Sequence, residues 1–374
     1  MRGLPRARRR QGKIDRRDTP TGIRRSASHA VSSLHRRTNE GAKMPHANGL
    51  PTVVALATGG TIAGQGSAGK ATNYRPGQID VNTLLQLAAP DFDLANLRGE
   101  QVCNVNSDDI TSEHWTELAR AINRLAADPD IDGFVVTHGT DTLEETAYFL
   151  NLTVKTDKPV IITGAMRPAT ATSADGPMNL RQSIALAGNP LARGKGVLVV
   201  FSDGIFGGRD VRKISTIQTD AFSANDFGCM GYMVDGVPHI FNAPVKPHTL
   251  ATEFDVEGLS TLPSVAVAYF AVDADPAVLR FHVDRGARGL VIAGAGAGCY
   301  STPWNNAIVE LEETGIPVVR ASRIGAGLIT HDDFYRGNLI DGSDLPPQKA
   351  AVLLRLALTR TSSRTEIQRM FDTY

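Results

Sequence analysis

Hydroxyl, carboxylate and ammonium side chains collect at the ends of the apolar runs of this chain. The run Val53-Val54-Ala55-Leu56-Ala57 ends in Thr58-Gly59-Gly60-Thr61. The run Gly133-Phe134-Val135-Val136-Thr137 ends in His138-Gly139-Thr140-Asp141-Thr142, and Ser107 and Asp108 follow Gln101 to Val105. Lys213 stands in a polar stretch after Gly207-Gly208. A threonine hydroxyl attacks a carbonyl poorly unless something takes its proton. Tyr74, or Lys213 with a lowered pKa, could assist Thr61. Asp141 could hold a substrate ammonium, and backbone N–H groups near Thr140 could stabilise an oxyanion. Nucleophilic hydrolysis is one chemistry that these residue types could perform together.

Each residue also has a plainer reading. Thr140 and Thr142 are good helix caps, Asp141 a surface carboxylate near a helix dipole, Tyr74 a packing residue and Lys213 a solvated cation. His138 is a tempting general base, but a lone His at a strand end is more often structural. The glycines after the first run do not make a phosphate loop, because neither G-x-G-x-x-G nor G-x-x-x-x-G-K-[ST] is present.

The elements that must position these groups follow from the hydrophobic pattern. Val-rich runs ending in glycine read as buried strands, and ligands in open parallel sheets bind beyond the strands' carboxyl ends. Gly64, Gly66 and Gly69 lead through a polar run to Tyr74 and Pro76, which reads as a mobile flap. Val81 to Leu87 reads as a short helix, and Thr111 or Ser112 caps the next one. Thr142 and Glu145 have capping-box spacing, which predicts the start of a helix carrying Leu143, Ala147, Leu150 and Val154. Pro159 to Thr163 and Gly196 to Phe201 are further strands, with a helix beginning near Asp175-Gly176-Pro177. After a Pro-rich stretch the pattern restarts with Val265 to Ala271, Gly289 to Ala293 and Ile316 to Arg320, then a helix over Pro347 to Arg360. Strands alternating with helices predict an α/β fold. It has a larger N-terminal, mostly parallel-sheet domain (51–241), a linker (242–263) and a smaller C-terminal α/β domain (264–374).

The chain has 374 residues, 42% of them hydrophobic and 21% charged, ordinary for a globular protein. No apolar run is long enough to span a bilayer. The net charge is zero but unevenly placed: residues 1–43 carry 13 basic and 3 acidic side chains, leaving the rest mildly acidic, so no nucleic-acid partner is indicated. Residues 1–50 read as a disordered, Arg-rich extension with too little apolar content to fold. Met44-Pro45-His46 marks the expected natural start, the preceding residues being an artefact of gene calling. Residues 1–43 hold no apolar core of a secretory signal, so the expected location is cytoplasmic, or periplasmic if the start is misplaced. Cys103, Cys229 and Cys299 are odd in number and lack C-x-x-C spacing, which predicts three buried free thiols and no zinc site.

Two segments carry a family resemblance. Ala57-Thr58-Gly59-Gly60-Thr61-Ile62-Ala63-Gly64 and Val136-Thr137-His138-Gly139-Thr140-Asp141-Thr142-Leu143-Glu144-Glu145-Thr146-Ala147 resemble the two signatures of bacterial-type L-asparaginases. The likeness is to the type II asparaginase/glutaminase group. It continues through Gly164-Ala165-Met166-Arg167-Pro168, Gly208-Arg209-Asp210-Val211 and Pro347-Gln348-Lys349-Ala350. It implies hydrolysis of L-asparagine to L-aspartate and ammonia without a metal or cofactor, in tetramers of intimate dimers with sites at the dimer interfaces. By the resemblance, Thr61 is the nucleophile and Tyr74 orients or deprotonates it. Thr140, Asp141 and Lys213 form a second polar set. Ser107 and Gly139 grip the α-carboxylate, Asp141 and Asp108 hold the α-ammonium, and the Ala165 carbonyl meets the leaving amide.

Some positions depart from that pattern. Asp108 stands where the family usually has Gln or Glu. The stretches Ala271-Val272-Asp273-Ala274 and Thr330-His331-Asp332-Asp333-Phe334 give no clear match to the acidic residue that a partner subunit supplies, leaving Asp332 or Asp333 to substitute. By the resemblance, Asp128 and Thr156 stand where periplasmic relatives often carry a disulfide. The alternatives are an amidohydrolase for another amino-acid amide, or an amino-acid sensor without catalysis.

Overall fold

The first strand shows how the sequence builds the scaffold. Along β1 (Thr52–Gly59), Val54 and Leu56 enter one hydrophobic cluster while Val53, Ala55 and Ala57 enter another. Side chains alternate across a strand, so one apolar run can serve both faces of a sheet. All eight residues are buried, and full burial of a side chain such as Leu56 contributes about 1.5–3 kcal/mol.

This computed structural model describes residues 49–66, 69, 74–75, 77, 80–88, 94–259, 261–312, 314–335, 337 and 339–374. The expected Arg-rich extension and alternative start at Met44, and most of the expected flap, lie outside them. After β1 come the short pair β2 (Gln65–Gly66) and β3 (Tyr74–Arg75), then α1 (Val81–Ala88), β4 (Asn96–Val105), α2 (Ser112–Ala126) and β5 (Gly133–Thr137). Next are α3 (Leu143–Thr153), β6 (Val160–Thr163), α4 (Gly176–Ala187), β7 (Val197–Phe201), β8 (Gly204–Gly207), β9 (Arg212–Lys213) and β10 (Phe222–Ser223). β11 (Gly231–Val234) and β12 (Val237–Ile240) close the first half. The second half holds β13 (Val265–Tyr269), α5 (Ala277–Asp284), β14 (Gly289–Gly294), α6 (Thr302–Glu312), β15 (Val318–Ser322), β16 (Leu339–Asp341), α7 (Pro347–Ala357) and α8 (Arg364–Thr373).

The large sheet has eight strands in the order β12-β11-β8-β7-β6-β5-β1-β4. It is parallel from β4 to β7, and β8, β11 and β12 then pair antiparallel. Chain order reverses at β1: the chain passes to β4 on one side, then returns past β1 to β5 on the other. Residues of α1 and α4 pack on one face of this sheet, and those of α2 and α3 on the other. The carboxyl ends of β1, β4 and β5 therefore flank a topological switch point, where open α/β sheets bind ligands.

The small sheet is parallel, in the order β13-β14-β15-β16. Val291, Val319 and Ile340 face the cluster that α3 and α7 share, while Leu290, Ile292 and Val318 pack with Trp304 on the other face. One hydrophobic cluster thus runs from α2 and α3 through α7 into the small sheet. The Pro-rich stretch 242–263 holds one 3-10 turn, Thr249–Ala251, and is tied to the large sheet's helices. Lys155 Nζ donates to the Thr249 and Thr252 carbonyls, and Phe254 and Val256 are buried in the core.

Two expectations are corrected. The three cysteines are free, but none is fully buried: Cys103 and Cys229 are half-buried and Cys299 is exposed. Cys103 lies on the edge strand β4, and Cys299 closes a tight bridge with Ala295. The expected Thr142–Glu145 capping box is absent. Thr142 precedes α3, but its Oγ1 accepts from no helix N–H and instead donates to the Ser107 carbonyl (2.6 Å). Glu145 is instead drawn inward, and burial, with Glu144 beside it, raises its carboxyl to about 7.

Candidate active site

The turn after β1 can be made only by glycine. Gly59 and Gly60 have φ of 108° and 81°, the left-handed region that side chains disfavour. A Cβ on Gly59 would stand 2.5 Å from the Val105 carbonyl oxygen, and one on Gly60 would stand 2.4 Å from the Gly139 nitrogen. Bare backbone lets the ends of β1, β4 and β5 touch. Thr61 then opens a 3-10 turn, Thr61–Ala63, with 7% of its surface exposed. The β1–β4 register shifts here: Ala57 faces Gln101, whereas Gly59 faces Val105. Such irregularities re-aim the chain beside functional sites. The Thr58 hydroxyl donates to the Thr137 carbonyl (2.9 Å), joining the ends of β1 and β5.

Four of the expected residues meet around Ser107. This serine is buried in a 3-10 turn, Ser107–Asp109, directly after β4. Its Oγ accepts from Asp141 N (3.3 Å), and a Cβ on Gly139 would fall 2.7 Å from that oxygen. Lys213 joins from β9: its Nζ donates to Thr140 Oγ1 (2.8 Å) and to Asp141 Oδ1 (2.5 Å). Because Thr140 Oγ1 accepts from the ammonium, its own proton remains free to donate elsewhere. The Asp141 side chain is 69% exposed, so solvent screens the ion pair. The pair aims the lysine head more than it stabilises the fold.

Ala165 is fully buried after β6. A Cβ on its neighbour Gly164 would lie 3.3 Å from Thr140 Cγ2, which brings this loop against the same cluster. The loop is fastened by α4: Asn179 Nδ2 donates to the Gly164 carbonyl (3.1 Å), and the Asp175 carboxylate accepts from Met166 N and Arg167 N (both 2.9 Å). Asp108 follows Ser107 and is exposed. The backbone of Tyr74 pairs with Gly66 across the β2–β3 hairpin, while its side chain lies outside the described residues. In the stretches 271–274 and 330–334, Val272 and Phe334 are exposed, Asp333 pairs with His331 (3.0 Å), and Asp332 Oδ1 accepts from Phe334 N (2.9 Å).

His138 is a structural residue. It is fully buried, with Nδ1 2.7 Å from the Gly139 carbonyl and Nε2 2.9 Å from Thr146 Oγ1. A carbonyl can only accept, so Nδ1 carries the proton and Nε2 accepts from the Thr146 hydroxyl. Thr146 Oγ1 in turn accepts from Trp115 Nε1 (2.8 Å), so every partner in the chain is satisfied. Burial pushes the imidazole down to about 4, partly opposed by the Gly139 carbonyl.

Sequence reasoning did not single out the residues that hold the site: Glu144, Asp175, Asn179 and Gln348. Glu144 Oε2 accepts from Lys213 N (2.7 Å), while Oε1 accepts from Gln348 Nε2 (2.5 Å). An acidic residue three positions beyond Asp141, inside an otherwise apolar helix face, was the available signal. Among the described residues no cluster of three or more His, Cys, Asp or Glu is arranged to hold a metal.

Residues 52–246 match the family model described as "Asparaginase, N-terminal", and residues 264–371 match "Glutaminase/Asparaginase C-terminal domain". The chain is 44% identical to L-asparaginase 2 of Bacillus subtilis (strain 168), over 87% of each chain. It is 43% identical to the glutaminase-asparaginase of Pseudomonas fluorescens biotype A, over 87% of this chain and 91% of the relative. A crystal structure of a probable cytoplasmic L-asparaginase from Campylobacter jejuni superposes with a TM-score of 0.84 at 44% identity, covering 87% of this chain and all of that one. Two family models in chain order, on a switch-point site that gathers both signature segments, establish that this chain belongs to the asparaginase family.

Proposed function

We propose that the protein hydrolyses the side-chain amide of L-asparagine to L-aspartate and ammonia through a threonine acyl-enzyme. The observation that carries this reading is the meeting of two strand ends. Gly60 abuts Gly139, so the residues that follow them, Thr61 and Thr140, belong to neighbouring strand ends, and Lys213 Nζ donates to Thr140 Oγ1. Thr61 Oγ1 attacks the amide carbon as its proton passes to a neighbouring base, and Tyr74 on the hairpin beyond is the residue assigned to orient or deprotonate it. Thr140, with its proton free to donate, serves the leaving amide, and the Ala165 carbonyl orients that nitrogen. Ammonia departs, and water attacks the Thr61 ester to release aspartate.

The substrate's charged end has complementary groups in this reading. Ser107 and Gly139 receive the α-carboxylate, and Asp141 and Asp108 the α-ammonium. Glutaminase side activity belongs to the same proposal, since the Pseudomonas fluorescens relative is named glutaminase-asparaginase. Residues 51–241 carry the chemistry, 264–374 brace it and 242–263 join them. A cytoplasmic homotetramer with sites at intimate dimer interfaces completes the proposal. Supporting it, Asp108 and Asp141 face outward in the protomer, which leaves that side of the site for a second chain to cover.

The test is ammonia release from L-asparagine, L-glutamine and D-asparagine by wild type and Thr61→Ala. The wild type is expected to turn over L-asparagine. Thr61→Ala should lose at least ~1,000-fold in kcat, as expected when a nucleophile is removed. Ammonia release that survives Thr61→Ala would reject Thr61 as nucleophile. Aspartate binding without any turnover by wild type would make the protein a sensor.

A further inference from the structure

Lys213 reaches the active site from outside the large sheet. It lies on β9, a two-residue strand that, among the described residues, pairs only with the equally short β10, Phe222 opposite Lys213 and Ser223 opposite Arg212. Such a ladder supplies little rigidity. Thr61, Ser107 and Thr140, by contrast, follow strands that sit inside or along the main sheet. Something else must fix the backbone from which the Lys213 ammonium extends.

We propose that Glu144 is the positioning residue for Lys213, and that Gln348 and Lys349 of α7 complete a clamp on the segment that carries it. This inference rests on the catalytic role proposed for Lys213. Glu144, only 5% exposed, stands in the first turn of α3, three residues after Asp141. One oxygen accepts from Lys213 N (2.7 Å) and the other from Gln348 Nε2 (2.5 Å). The same helix start therefore grips Lys213 twice: Asp141 takes the ammonium and Glu144 takes the main chain. A charged acceptor makes the stronger kind of hydrogen bond, and here it is sheltered from water.

The rest of the clamp comes from the start of α7. Lys349 is fully buried, and its Nζ donates to the carbonyls of Gly208 (3.3 Å), Arg209 (2.6 Å) and Val211 (2.6 Å). Arg209 in turn makes a two-pronged pair with Asp344 (2.6 and 2.7 Å), just before α7. Residues 208–213 are thus pinned to 344–349 along their length. The smaller half of the protein thereby sets the reach of a residue whose partners are all in the larger half.

A kinetic split tests the clamp. Glu144→Ala leaves the Lys213 N–H without its acceptor and frees the segment to shift. Because a misplacement of about 1 Å can cost ~100-fold in rate, kcat for ammonia release from L-asparagine should fall ~10- to 100-fold, with KM changing less than ~3-fold. Glu144→Gln keeps a carbonyl oxygen for Lys213 N and an amide that can pair with Gln348, so kcat should return to within ~3-fold of wild type. Melting temperatures identify which variants are folded, and Gln348→Ala, which leaves the Glu144–Lys213 bond intact, should show a smaller loss of the same kind. A folded Glu144→Ala with unchanged kcat overturns the proposal, as does a Glu144→Gln that is folded yet as slow as Glu144→Ala. Should Glu144→Ala not fold, the Glu144→Gln and Gln348→Ala kinetics decide by the same criteria. Lys213→Met separates the two levels. If it retains full kcat, the catalytic role of Lys213 fails; if it loses kcat while folded Glu144→Ala does not, only the clamp fails.

Discussion

The two halves of the candidate active site are held by different means. Thr61, Ser107, Gly139 and Thr140 follow adjacent strands, and their relative placement comes from main-chain pairing and close glycine contacts. Lys213 belongs to no strand of that sheet and is held by side chains, Glu144 from α3 and, through the 208–211 carbonyls, Lys349 from α7. In the strand-end half, paired peptide groups leave the chain few degrees of freedom. The lysine half depends on buried charges, which are strong when matched and expensive when orphaned. The contrast teaches that one half is set by strand pairing within the large sheet and the other by buried side chains, one of them Lys349, 140 positions along the chain from Arg209.

The largest expected effect breaks the strand-end half. Gly60→Ala sets a Cβ 2.4 Å from Gly139 N at a φ of 81°, so β1 and β5 must part. Activity should fall by at least ~100-fold even in a variant that folds, since both hydroxyls lose their alignment. Kinetics with melting curves would check this, and near-wild-type activity would show that the glycine contact does not set the alignment.

The buried imidazole behind that half gives the next effect. His138 ionises near 4 in the fold and near 6.5 when unfolded. Between these values the unfolded chain binds the extra proton, so stability is intact above 6.5 and is lost as pH falls toward 4. The loss attributable to this group is about 3 kcal/mol. Urea unfolding across that range should show a steeper acid dependence for wild type than for His138→Asn; equal slopes would remove His138 from the account.

The lysine half should respond more mildly to loss of its buried cation. Lys349→Met leaves three carbonyls without their donor, but it also removes an ammonium whose burial lowers its pKa to about 8. The two terms oppose, leaving a net destabilisation of about 2 kcal/mol. The sharper prediction is that kcat falls with little change in KM, as for Glu144→Ala. Loss of stability without any change in kcat would confine Lys349 to folding.

Much was legible in the sequence, for identifiable reasons. β1, β5, β7 and β14 are continuous apolar runs because parallel strands are buried on both faces, and such runs cannot be mistaken for surface segments. The antiparallel edge β8-β11-β12 was not foreseen, since its strands are four residues each and β11 alternates buried with exposed residues. Thr142 and Glu145 had the spacing of a capping box, but the Thr142 hydroxyl is aimed at the Ser107 carbonyl, to which it donates. Cysteines expected in the core lie at an edge and at turns, because residue type records average burial and not the address of one side chain.

The sequence by itself determined the strand ends, the glycines and the order of hydroxyls and carboxylates, because these depend on residues adjacent along the chain. The family resemblance already grouped Lys213 with Thr140 and Asp141; only the tertiary structure decided that Glu144 faces Lys213 and Gln348, and that His138 is occupied on both nitrogens. Those contacts join residues as far apart as Glu144 and Gln348, 204 positions along the chain. No local pattern can encode such a meeting; it exists once the sheet, the helices on its faces and the second half of the protein have packed together.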